Sequence, residues 1–300
     1  MIIMKLYGGL GNQMFQYAFA KQLGVMLGQN IFFEIDLSHW DRAGGFFRGF
    51  ALGNFGKIKI KLARKKQLFG VRLLAKLERK VKFFSRIFPK SAHFKECRVE
   101  CINFNDVKDC KHLYLEGYWQ NLSYLENIRD DLVEEFDCGF MNDIENKRIK
   151  DNILRSGNSV SLHVRRGDYI HNSSALKVHG VCEVDYYKKA IGIIEKKLDK
   201  PAFFIFSDDP DWARENIFPL VSNQRRGYLV SHNNEENGYK DMMLMKQCKH
   251  HVIANSTFSW WAAWLCDNSE KIVVAPDQWF VGEKNKKRPK IFPDEWLYIK

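Results

Sequence analysis

The chain has 300 residues, 45% of them hydrophobic and 28% charged, which supplies a sizeable core and room for two domains of roughly 100–200 residues each. That composition excludes a disordered chain, and no run of about 18 apolar residues offers a transmembrane helix. A net charge of +11, from 47 Lys and Arg against 36 Asp and Glu, favours an anionic partner (nucleic acid, anionic membrane or a phosphate-bearing substrate) without choosing among them.

Residues 2–7 are apolar and β-prone, Gly8-Gly9-Leu10-Gly11 breaks them, a helix follows over about 12–27, and residues 31–36 read as the next strand. The opening stretch is too short for a secretory signal. Strand, helix and strand in succession favour a parallel sheet. The glycine turn with Asp36 downstream partly matches a dinucleotide fingerprint, but Met14 stands where the third glycine belongs. A turn followed by Asn12 and Gln13 better suits bringing amide side chains to the edge of an interdomain cleft.

Residues 57–90 hold thirteen Lys and Arg and one acid, Glu78. Leu73, Leu74, Leu77, Val81, Phe84, Ile87 and Phe88 recur there at roughly helical spacing. This reads as a solvated helix packed on the first domain or as a basic amphipathic helix on anionic lipid; for nucleic acid no recognised module accompanies the charge. Residues 113–115 form a short strand ending in Glu116-Gly117-Tyr118-Trp119-Gln120. The polar stretch 141–156 is expected to carry the chain between domains, with the boundary near residue 155. Seven cysteines, Cys97, Cys101, Cys110, Cys138, Cys182, Cys248 and Cys266, include no C-x-x-C pair and read as thiols of a reducing compartment.

In the second half, residues 160–164, 202–206, 228–230, 251–254 and 271–275 read as strands, with helices over 186–198, 212–217, 239–248 and 257–266. The alternation predicts a doubly wound parallel sheet, whose ligands lie beyond the carboxyl ends of its strands. Arg165-Arg166-Gly167-Asp168 follows the first of these strands. Two guanidiniums beside a glycine suit phosphate oxygens, which arginine binds in bidentate fashion; the alternative is a surface pair neutralised by Asp168. Side chains alternate along a strand, so His163 and Arg165 share the side opposite Leu162 and Val164, although His163 alone equally suits a core position.

Ser207-Asp208-Asp209 follows the second strand and has three readings: metal chelation, acceptance of hydrogen bonds from guanine N1 and N2, or capping of the next helix. Asn255-Ser256-Thr257 puts small hydroxyls at a helix start, as an anion site or an ordinary N-cap. Trp260, Trp261 and Trp264 are expected in helix packing rather than as a sugar platform. His250 and His251 are neighbours whose side chains diverge on any regular element, so they make no metal pair.

Four segments in order, Gly8 to Ala18, His163-Val164-Arg165-Arg166-Gly167-Asp168-Tyr169, Phe206-Ser207-Asp208-Asp209, and Asp241-Met242-Met243 through Asn255-Ser256-Thr257-Phe258-Ser259-Trp260-Trp261-Ala262-Ala263, resemble the α-1,2-fucosyltransferases of glycosyltransferase family 11. The resemblance runs from residue 3 to about 280, with no family motif over 40–110. It implies an α/β, GT-B-type fold: two Rossmann-like domains with parallel sheets facing a cleft, residues 1–155 on the acceptor side and 156–300 binding GDP-fucose. It implies inverting transfer of L-fucose from GDP-β-L-fucose to a galactoside hydroxyl, with no cofactor and no divalent metal because the arginines neutralise the diphosphate.

By the same resemblance, His163 contacts the guanosine side, Arg165 the β-phosphate with Arg166 beside it, and Asp208 or Asp209 reads guanine. Ser256 and Thr257 hold phosphate oxygens, with Asn255 a further GDP-fucose-binding candidate; Asn12 lies near the reacting centre, and Gln13, Trp119 and Gln120 are acceptor-side candidates. Arg165 and Asp168 complete the catalytic candidates. Some related enzymes carry a glutamate a few residues after the arginine pair; Tyr169-Ile170-His171-Asn172-Ser173 has none, which leaves Asp168, His171 and a leaving phosphate oxygen as candidate bases. The expected partners are GDP-fucose and a galactose-containing oligosaccharide or lipopolysaccharide, with peripheral contact to an anionic membrane and no nucleic acid. The expected location is the cytoplasm or the inner face of the plasma membrane. The alternatives are a GT-B transferase of another sugar nucleotide and a non-catalytic anion-binding protein.

Overall fold

A computed structural model describes residues 1–35, 49–80, 90–95, 102, 104–139, 143–167, 170, 173–222, 227–282 and 290–300. The chain divides into two compact units, the first holding the described residues of 1–136 with 290–292, the second those of 137–288 with 293–300. Each unit is built on one sheet whose described pairings are all parallel.

In the first unit, β1 (Ile2–Leu6), β2 (Ile31–Ile35), β3 (Ser91–Lys95) and β4 (His112–Glu116) lie in the order β2-β1-β4-β3. Helix α1 (Leu10–Leu27) leaves β1 after the glycine turn, is buried at consecutive positions from Gln13 to Ala20, and ends where Gly28 takes the left-handed conformation. A helix buried on every side at its start belongs to the core and carries no clean amphipathic signal. Helix α2 (Lys65–Lys80) packs on β3 and β4, its Val71 meeting Ile3 and Tyr114. The short α3 (Phe104–Val107) and α4 (Arg129–Glu135) complete the unit.

In the second unit, helix α5 (Ile144–Arg155) precedes β5 (Ser159–Val164). Then come α6 (Ser173–His179), α7 (Val184–Lys197), β6 (Ala202–Ser207), α8 (Pro210–Asn216), α9 (Phe218–Ser222), β7 (Gly227–Val230), α10 (Gly238–Gln247), β8 (His250–Val252), α11 (Thr257–Leu265), β9 (Val273–Pro276) and β10 (Leu297–Ile299). The strand order is β10-β9-β8-β5-β6-β7. Val160, Leu162 and Val164 share one face with Ile205 and Val274, covered by Tyr187, Ile191 and Ile194 of α7. Helix α10 packs on β6, α5 and α11, where Trp260 and Trp261 are fully buried with ring centroids 5.2 Å apart. The expected helix-packing role of these tryptophans holds.

The second sheet reverses its winding. The chain moves outward from β5 through β6 to β7 on one side and from β8 through β9 to β10 on the other, so the switch point lies between β5 and β8. In the first sheet β1 and β4 are the two central neighbours, and their carboxyl ends lie side by side. Open α/β sheets place ligand crevices at switch points, outside the carboxyl ends of the strands.

Three features depart from the sequence reading. The polar stretch expected to link the domains holds helix α5, capped by the Asp143 carboxylate, and the second unit already includes residue 137. The strongly charged sequence hides the reason, which is a buried stripe of Asn146, Ile149 and Ile153. Strands β3 and β10 were not expected; both are edge strands, short and half exposed. Residues 290–292 return to the first unit, where Leu122 N–H donates to Lys290 O at 2.7 Å, so a single boundary does not describe the chain.

Asn146 is the hub of a polar network. Its amide bonds Asn233 in both directions at 2.9 Å and donates to Asp143 at 2.8 Å, and His232 Nε2 lies 3.0 Å from its oxygen. Asn233 in turn donates to Asp241 at 2.6 Å. Asn146→Ala removes the buried hub of this network from its half-buried and exposed partners and is expected to cost about 1 kcal/mol in urea unfolding.

Burial pushes the Asp241 carboxyl up to about 7 from 3.8, against the bond from Asn233. Native Asp241 therefore keeps its proton where the unfolded chain has lost it. Its stabilising contribution is full below about pH 4 and declines as pH rises to about 7. Asp241→Asn should abolish that decline, seen by comparing urea midpoints at about pH 5 and above pH 7.

Candidate functional site

Register builds the site in the second unit. His163 pairs with Phe206 and Val164 with Ser207, so β5 and β6 end side by side and release Arg165 and Asp208 next to each other. Arg165 Nη1 lies 2.9 Å from Asp208 Oδ2, and the Arg166 backbone N–H donates to Asp208 Oδ1 at 2.8 Å. Asp208 Oδ2 is buried and receives no aligned hydrogen bond, so its attraction to Arg165 is coulombic. The Arg166 guanidinium lies 3.9 Å over the Trp212 ring, and its buried Nε is 3.8 Å from Asp209 Oδ2. Asp209 accepts from Trp212 N–H at 3.2 Å and so caps α8, while its own N–H donates to Ser207 Oγ at 2.9 Å.

Of the three readings of the acidic pair, these contacts show the helix cap. Asp209 is the helix cap, and Asp208 is the organiser of the arginines, with one oxygen buried between them. Asp209, a third exposed, is the more accessible carboxylate. Among the described residues no group of three or more His, Cys, Asp or Glu side chains is placed to hold a metal ion.

His163 sits behind the arginines on the face opposite Leu162 and Val164, as strand alternation requires. Burial holds its imidazole down at about 3, the Arg165 charge adding to the effect and Asp208 opposing it, so the ring is neutral. Its Nδ1 is buried without a hydrogen-bond partner among the described residues. Its ring meets Phe258 at 5.5 Å, which links the β5 exit to the β8 exit across the switch point. There Ser256 Oγ accepts from Phe258 N–H at 3.3 Å and caps α11, followed by Thr257. Asn255 is turned to the fold: its amide donates to His179 O at 2.8 Å and accepts from Cys182 Sγ at 3.7 Å. His250 and His251 diverge as expected, His250 accepting from Ile272 N–H and His251 lying 2.8 Å from Ser161 Oγ.

The first unit gathers a second cluster at the carboxyl ends of β1 and β4. Gln16 accepts from Tyr7 N–H at 3.1 Å and donates to Gly117 O at 3.0 Å, tying the β1 and β4 exits together. Gln120 donates to Asn12 Oδ1 at 2.9 Å, so these two predicted residues do meet. Tyr118, which the sequence reading did not single out, is exposed and stacks obliquely on Tyr7 with centroids 5.0 Å apart. Its signal was only its place at the end of a predicted strand.

Two acceptor-side candidates are turned inward. Gln13 is fully buried, donating to Gly8 O and Gly49 O at 2.8 and 2.9 Å and accepting from Ala51 N–H at 3.0 Å. An amide with three backbone partners is structural. Trp119 is buried against Phe19 at 4.6 Å, and holds a φ of +55°, a costly value for a bulky residue. Asp36, Asp168, Tyr169 and His171 lie outside the described residues, as do Cys97, Cys101 and the 81–88 part of the basic segment.

Gly8 has a φ of +80°, and a Cβ there would lie 3.0 Å from Asn12 Nδ2 and 3.3 Å from Tyr118 Cε1. Gly8→Ala is therefore expected to cost on the order of 1–2 kcal/mol in urea unfolding, through strain and displacement of both side chains.

The chain's relatives bear on this geometry. The family model described as "Glycosyl transferase family 11" matches residues 1–300. The chain is 35% identical to the O-antigen biosynthesis glycosyltransferase WbnK of Escherichia coli, over 98% of this chain and 99% of the relative. It is 33% identical to an alpha-1,2-colitosyltransferase of Escherichia coli, over 99% and 98% of the two chains. Galactoside alpha-(1,2)-fucosyltransferase 2 of Bos taurus is 29% identical over 63% of this chain and 56% of its own. Among solved structures, a mutant of FUT1 from Arabidopsis thaliana in complex with GDP superposes with a TM-score of 0.52 at 13% identity, covering 91% of this chain and 70% of that one. The likeness is one of fold, and it agrees with the expected α/β, GT-B-type architecture with parallel sheets. With two parallel α/β units, a basic cluster at a switch point and a family match along its whole length, the chain belongs to glycosyl transferase family 11.

Proposed function

We propose that this glycosyltransferase transfers L-fucose from GDP-β-L-fucose to a galactoside hydroxyl with inversion, forming an α-1,2 linkage. The observation that carries the reading is the Asp208-anchored pair Arg165 and Arg166 at the β5–β8 switch point. As the acceptor oxygen bonds to the anomeric carbon, the bond to the β-phosphate oxygen breaks and the diphosphate gains charge. A guanidinium already fixed at that place stabilises the charge without reorganising. Arg165 serves this role. Arg166, held against Trp212, assists on the diphosphate, Asp209 takes the guanine edge, and Ser256 and Thr257 receive phosphate oxygens at the start of α11.

The transfer needs no divalent metal in this reading, because Asp208 is committed to the arginines and they supply the positive charge. In the first unit, Tyr118 offers an apolar ring face and the Asn12–Gln120 amide pair offers hydroxyl partners, a combination suited to a galactoside.

A second reading has a specific support. One full-length relative is named for colitose, which is fucose without its 3-hydroxyl, so the donor is GDP-fucose or that deoxy relative. Purified protein offered each donor with a panel of galactosides should release GDP from one, and linkage analysis should find an α-1,2 product. Arg165→Ala should lower kcat/KM by about 10²–10³, Asp208→Asn by a smaller factor, and EDTA should leave the rate unchanged. Turnover with an unrelated sugar nucleotide alone would remove the donor assignment, and loss of activity in EDTA would remove the metal-free mechanism.

A further inference from the structure

Helix α2 has two apolar stripes and the fold uses one of them. Val71 and Ala75 are buried, with Val71 against Ile3 and Tyr114. On the other side Phe69 is 70% exposed and Leu73 41%; Leu62, ahead of the helix and bridged to Phe33 of β2, is also exposed, at 59%. At 100° per residue, Phe69 and Leu73 share an outward arc of about 120° with Lys65, Lys66, Arg72 and Lys76. Arg72 is drawn away by Glu34 and Tyr114, and Lys57 by Glu134. Lys59, Lys61, Lys65, Lys66 and Lys76 are exposed and form no ion pair among the described residues. From Lys57 to Leu77 the sequence has no acidic residue.

We propose that the outward face of helix α2 docks this protein on an anionic lipid bilayer, with Leu62, Phe69 and Leu73 entering the headgroup boundary and the flanking lysines lying on the lipid phosphates. The charge asks for an anionic partner, and the exposed side chains decide which kind. Leu62 and Leu73 are aliphatic and have no stacking use on nucleic-acid bases, whereas an apolar stripe framed by lysine is the pattern of a helix lying in the interface plane. The inference is independent of the nucleotide site, which belongs to the second unit.

The test is flotation of the full chain with phosphatidylcholine vesicles, with and without phosphatidylglycerol, alongside a single-stranded DNA oligonucleotide as a rival ligand. The wild-type chain should bind only the phosphatidylglycerol vesicles and release them at high salt. Lys65→Gln with Lys66→Gln should weaken binding roughly fivefold per lysine at low salt. Phe69→Ser with Leu73→Ser should weaken it on the order of tenfold or more, with thermal unfolding and GDP binding unchanged because both positions are solvent-exposed. No binding to phosphatidylglycerol vesicles, equal binding by the Phe69/Leu73 variant, or binding to DNA alone would each overturn the proposal.

Discussion

The second unit is organised around one carboxylate. Asp208 leaves β6 beside the end of β5, and its two oxygens take hold of consecutive residues, the Arg165 guanidinium and the Arg166 backbone N–H. Adjacent arginines at a strand exit repel each other and would swing into solvent unless something fixes them. The ion pair is only partly shielded, so its net stabilisation is small. Its consequence is geometric: the backbone turn out of β5 and the direction of Arg165 are set together. Arg166 is then held by a different means, the face of Trp212, leaving two cations at one place on separate supports. His163 behind them is neutral because it is buried, so it adds no positive charge to that of the arginines.

In the first unit the same task falls to amides. Gln16 joins the exits of β1 and β4, and Gln13 joins the glycine turn to the segment from Gly49 to Ala51. Buried amides suit this because each offers donors and an acceptor without a charge to desolvate. Trp119 adds a strained backbone, held by stacking on Phe19, between exposed Tyr118 and Gln120, which reaches Asn12. These residues, with the exposed Tyr118 ring, stand on the loops leaving β1 and β4, where the proposed acceptor would bind.

Helix α2 shows how composition can mislead about position. Its leucines and lysines read as a single amphipathic helix, yet the stripe packed on the sheet is Val71 and Ala75, while Leu73, part of the recognised pattern, faces outward. A helix with apolar residues at both a buried and an exposed position does not declare from its sequence which of them packs, and only the sheet beneath decides which stripe is inside.

The sequence by itself determined the parallel α/β class, most strands and helices, and the places where chemistry sits, because period-2 and period-3.6 patterns and the residues after each strand are local properties. It also determined the alternation that separates His163 from Leu162 and Val164. The partners were decided only by tertiary structure. Whether Asp208 would meet guanine or Arg165 depends on the register between strands some forty residues apart, and whether Gln13 would face a ligand or three backbone groups depends on a segment brought in from residues 49–51. Helix α5 was hidden for a related reason. Its stabilising contacts are a thin buried stripe and a network through Asn146 to residues some ninety positions on, and a local charge pattern carries no trace of either.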